Sequence, residues 1–136
     1  MNVNLLSIIG AGILTLLMAL FHMRFPVLFL WRAEFKKMTE SNHRIFFTIH
    51  IALLLIFVLW GGVLLVYSRE LAQPNHFTRG FLFGAGLFWI WRTVWQLAYF
   101  KPSRNRRLRK YFLLHYLLCI WFFVLSVLYL IPVFNR

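Results

Sequence analysis

Arg92 and Gln96 stand four residues apart between Gly86 and Phe100, so on a helix they share one face. Trp89 lies one turn before Arg92, and Trp95 and Tyr99 crowd the same half of the segment. An Arg at the centre of an apolar span costs about 2.5 to 3.5 kcal/mol on insertion scales, and residues kept at that cost are functional candidates. The three acids of the chain, Glu34, Glu40 and Glu70, all fall in connections, so no intramembrane carboxylate is available to Arg92. A guanidinium has donors and no acceptor. Carbonyls, water, a lipid phosphate, an anionic ligand or a second subunit must receive them. The residue types of this face point to binding, of an anionic lipid or amphiphile or of another membrane protein, through Arg92, Gln96, Trp89, Trp95 and Tyr99. The plainer alternative is a guanidinium that stretches toward the interface and stabilises the helices through Tyr or backbone groups.

His22, His50 and His115 form a second constellation. At about 1.5 Å per residue they lie in the same leaflet, near the ends of their spans. If the second and fourth spans are neighbours, His50 and His115 can supply both axial imidazoles of a b-type haem, with nearby Arg and Lys for the propionates and Phe and Trp around the porphyrin. Otherwise all three are hydrogen-bonded interior or interfacial groups. His43 shares a face with His50 but at headgroup level, and His76 belongs to the opposite surface. The single cysteine, Cys119, sits in an apolar run and reads as a small buried hydrophobe; one cysteine makes neither a disulfide framework nor a multi-cysteine metal site.

Catalysis lacks its usual groups. There is no pair of intramembrane acids for a proton relay, no Ser partnered by His in a Gly-rich setting, no His-Glu-x-x-His and no Asp-rich metal motif. The expectation is a non-enzymatic accessory or scaffold subunit. A haem-binding electron carrier and a transporter of small anions or lipids, with a cavity reaching Arg92, are the alternatives.

These side chains need long apolar elements to hold them. Of the 136 residues 62% are hydrophobic and 13% charged, more apolar surface than a soluble core can hide. A helix crosses the hydrocarbon in about 20 residues, and four segments are long enough: about 4–21, 44–67, 79–100 and 111–133. The sequence implies an all-α integral membrane protein, a four-transmembrane-helix bundle forming one membrane domain over residues 1–136. Met1-Asn-Val-Asn carries no basic side chain, so the first span is expected to remain in the mature chain. Gly10, Ala11 and Gly12 suit close helix approach, and Gly61 and Gly62 mark close packing or a bend. Phe25 to Trp31 is too short to span; it reads as a short interfacial segment, or as a kinked extension of the first span at Pro26. Ser41 or Asn42 is expected to cap the second span.

Fifteen Lys and Arg give a net charge of +12, which on a soluble protein would suggest nucleic acid. Here the charge sits in short connections, as the positive-inside rule requires, so no nucleic-acid partner is expected. Connections 22–44 and 101–110 hold most of the basic residues, which puts both in the cytoplasm and both termini outside it, in a membrane such as the bacterial cytoplasmic membrane. Lys101, Arg104, Arg106, Arg107, Arg109 and Lys110 are expected to meet anionic phospholipid, at about 1 kcal/mol per charge.

Overall fold

The structure is a computed structural model that describes residues 2–73, 75–100 and 110–135, with backbone alone at 110 and 111. Every regular element among the described residues is helical: α1 Val3–Met23, α2 Phe25–Leu28, α3 Trp31–Glu34, a 3-10 turn Phe35–Lys37, α4 Glu40–Val66, α5 Ser68–Leu71, α6 His76–Ala98 and α7 Lys110–Phe134. Three of them, α1, α4 and Phe112–Phe134 of α7, are long and apolar enough to cross a membrane. Leu55, Leu59 and Val66 on α4 remain more than half exposed, an outer surface suited to lipid. α6 has the length, at 23 residues, but its arginines, Gln and threonines leave it less apolar.

The chain divides into two compact units, one of Met1–Ala11 with Ser68–Arg136 and the other of Gly12–Tyr67. In the first, α6 and α7 run antiparallel, because Gly86 of α6 meets Leu130 near the end of α7 and Gln96 meets His115 near its start. Leu82, Ala85, Gly86, Trp89 and Gln96 recur at helical spacing along the buried face of α6. α7 buries His115, Cys119, Phe122, Leu125, Ser126 and Tyr129, of which His115 meets Gln96 and Phe122 stacks on Trp89. Asn135 at the end of α7 donates its amide to Asn4 Oδ1 at 2.8 Å, which ties the start of α1 to this unit.

α6 begins with a reciprocal cap. Asn75 Oδ1 accepts the Thr78 N–H at 2.8 Å, and Thr78 Oγ1 accepts the Asn75 N–H at 3.3 Å. The cap of α4 is Thr39, whose Oγ1 accepts the Asn42 N–H at 3.4 Å. The helix therefore starts before Ser41 and Asn42. The reason is the extended backbone of Thr39, which brings its hydroxyl over the first turn.

In the second unit α1 and α4 touch through glycine. A Cβ on Gly61 would stand 2.8 Å from Leu16 Cδ2 and 3.1 Å from the Gly12 carbonyl oxygen, and one on Gly12 would stand 2.8 Å from Leu65 Cδ2. Gly62, the next residue, faces open space. The segment after α1 is a string of helical turns rather than a kinked continuation. It is broken at Leu30, whose φ of 51° is left-handed. Beyond that break Trp31 turns inward and is buried.

The glycine crossing predicts a sharp contrast between neighbours. Gly61→Leu should overpack the crossing and destabilise the detergent-solubilised protein by about 1–3 kcal/mol. Gly62→Ala should be neutral or stabilising by up to about 1 kcal/mol, since Ala is the better helix former. Thermal unfolding followed by circular dichroism measures both.

Candidate functional site

The core stripe of α6 carries Arg92 into the α6 and α7 pair, where a hydrogen-bonded chain begins. Arg92 Nη1 donates to Gln96 Oε1 at 3.1 Å. Gln96 Nε2 then meets His115 Nδ1 at 3.2 Å, and His115 Nε2 lies 3.8 Å from Cys119 Sγ. Chemistry fixes the direction of every step. A guanidinium only donates, so the Gln96 carbonyl must face Arg92 and its amide must donate to His115. Nδ1 then accepts, the ring proton sits on Nε2, and Nε2–H points at sulfur. The whole chain donates from the cation toward Cys119, the sole cysteine, which is free and buried.

Aromatic rings frame the cation. The Arg92 guanidinium carbon stands 4.7 Å from the Phe122 ring centroid and 5.6 Å from that of Phe100. Cation–π attraction at such distances is worth about 0.5–2 kcal/mol, more as water is excluded. Trp89 stacks on Phe122 at 5.5 Å and closes the site on the side of the helix centre. Neither of the ion pairs among the described residues involves Arg92: Lys37 pairs with Glu34, and Arg44 with Glu40.

The five α6 residues of the expected face do not all share it. Trp89, Arg92 and Gln96 turn toward α7, whereas Trp95 and Tyr99 are exposed and stack with Trp91 in a ladder along the outside, at 5.8 and 4.9 Å between successive rings. The helical advance of about 100° per residue separates them. Cys119 joins the site although its sequence reads as filler; its signal is the His115-x-x-x-Cys119 spacing, which sets both on one helix face.

The histidines are distributed over the two units. His115 belongs to the chain just described. His22 and His50 lie together in the other unit, with ring centroids 6.1 Å apart, and Trp31 stands edge-on to His50 at 4.6 Å. His43 lies against Phe35 at 4.5 Å. Lys101, Arg104, Arg106, Arg107 and Arg109, and the Lys110 side chain, lie outside the described residues.

The chain matches no protein-family model, no curated protein and no solved structure.

The directed chain has a spectroscopic consequence. Nitrogen NMR of labelled protein should show the His115 ring with its proton on Nε2 and the Nδ1 lone pair accepting from Gln96. Gln96→Leu should abolish that preference and destabilise the protein by about 1–3 kcal/mol, because it strips a partner from two enclosed polar groups.

Proposed function

We propose that the chain is a non-enzymatic accessory or scaffold protein with four membrane spans, α1, α4, α6 and α7, that holds an anionic amphiphile at Arg92 and Gln96. The observation that carries this reading is the state of Arg92. It is partly enclosed, its ring neighbours cover it, and among the described residues it makes one side-chain hydrogen bond and no ion pair. Its remaining donors suit the planar fork of a carboxylate or two oxygens of a phosphate. An acyl tail entering from the Arg92 end would then run toward the middle of the helix along the open flank at Gly84 and Gly80, where nothing stands within 4 Å of an added Cβ.

At about 1.5 Å per residue, the 23 residues of α6 extend about 35 Å, enough to cross a bilayer of about 30 Å once its cation is matched by an anion. The excess of Lys and Arg in connections 22–44 and 101–110 supports a cytoplasmic side for both, so the anion would enter from the cytoplasmic leaflet.

Arg92→Leu should lose the anionic lipid that wild-type protein retains through mild detergent, as read by native mass spectrometry. Arg92→Lys should keep part of it, having the charge without the fork. Equal retention by Arg92→Leu overturns the reading. Loss of a co-purifying membrane protein with lipid unchanged shifts it to a protein partner.

A further inference from the structure

His115 stands in the middle of the hydrogen-bonded chain that begins at Arg92, and every link of that chain depends on which atom carries a hydrogen. Its Nδ1 receives the Gln96 amide at 3.2 Å through a lone pair, and Gln96 Oε1 receives Arg92 Nη1 at 3.1 Å. Histidine is the one side chain that ordinarily changes charge between about pH 5 and pH 8. An imidazole takes its second proton on the nitrogen that has the lone pair. In His115 that nitrogen is Nδ1, because Nε2–H already points at Cys119 Sγ.

Proton uptake there cannot leave the chain as it stands. Nδ1–H and the Gln96 amide would both be donors, aimed at one another across a hydrogen-bond distance. Neither can turn to water instead, since Gln96 is 5% exposed and His115 8%. A primary amide has one remedy: half a turn about its last torsion, which gives Oε1 to His115 Nδ1–H and the NH2 to Arg92. The guanidinium only donates, so Arg92 loses its acceptor. Nη1 is then released to an anion.

We infer, resting on Arg92 as the anchor of an anion, that His115 is a proton switch for that site: a proton on Nδ1 reverses Gln96, frees Arg92 Nη1 and tightens anion binding. Charge acts in the same direction as geometry. Protonated His115 and Arg92 would be two cations separated by one amide, and an anion on Arg92 offsets their repulsion. Neither α6 nor α7 carries an acid that could do so. Among the described residues the titratable and charged groups facing His115 are Arg92, through Gln96, on α6, and on α7 Cys119 and Tyr116, whose ring stands edge-on at 5.1 Å. Linkage is reciprocal. A proton that tightens the anion requires an anion that tightens the proton by the same factor.

The test is titration of the full-length protein in mild detergent with a brominated-chain phosphatidylglycerol, read by quenching of tryptophan fluorescence at about pH 8 and about pH 5.5, the range over which histidine titrates. The phosphodiester of this lipid keeps its single charge throughout, so a change reports on the protein. Acidification should tighten binding by about 5- to 150-fold, the usual span of coupling between two sites. His115→Asn keeps an acceptor near the place of Nδ1 but cannot take the proton, so its affinity should be equal at both pH values. Nitrogen NMR of the wild type gives the reciprocal readout even if that variant fails to fold: the lipid should raise the pH at which Nδ1 of His115 gains its proton by about one to two pH units. Equal or weaker wild-type binding at the acid pH, a pH response that survives in His115→Asn, or an Nδ1 titration unmoved by lipid overturns the switch and leaves Arg92 as anchor. Binding undiminished in Arg92→Leu at both pH values overturns the anchor and the switch together.

Discussion

A permanent positive charge inside a pair of apolar helices is the constraint on which the first unit is organised. Arg92 cannot shed its proton as a buried Lys can, and it can only donate hydrogen bonds. Its position on the core stripe of α6 therefore dictates the orientation of Gln96, which dictates the tautomer of His115, which aims a proton at Cys119. Four residues on two helices are set by the polarity of one. Phe122 and Phe100 complete the arrangement by offering ring faces where carboxylates would otherwise be needed. Cation–π contact provides attraction without adding a second charge to desolvate.

The helix pair can hold such a chain because its backbones come close. Gly86 lets Leu130 pack where any side chain would collide, with a Cβ falling 2.6 Å from Leu130 Cδ2. That approach brings α6 and α7 near enough, ten residues further along α6, for a Gln amide to reach a His ring directly. The same device recurs between α1 and α4 at Gly12 and Gly61, where a carbonyl oxygen occupies the space a methyl would need.

The helical class, the apolar elements and the Arg92 and Gln96 pair were legible in the sequence because they rest on local periodicity: runs of apolar residues, a helix face of spacing four, an acid-free interior. The partner of Gln96 was not. It lies nineteen residues away on another helix, and a pairing of that kind is set by which faces of two helices meet. Trp95 and Tyr99 illustrate the opposite hazard, for nearness in sequence suggested a shared site where helical rotation carries them outside. His22 and His50 were each visible as titratable groups near span ends. The ring of Trp31 that joins them follows Leu30, whose left-handed backbone no residue pattern announces, since that conformation is usually left to Gly.

Leu30 has a consequence for the packing of Trp31 on His50. A left-handed non-glycine residue costs about 1–2 kcal/mol, and with 62% of the residue exposed its side chain recovers little of that through packing. Swinging Trp31 away from His50 would relax Leu30, so the closed arrangement is held by less than its ring contacts alone would provide. A free-energy difference of one or two kcal/mol changes a population ratio by roughly 5- to 30-fold. The turn thus makes Leu30 a tuning point for how firmly Trp31 stays packed against His50.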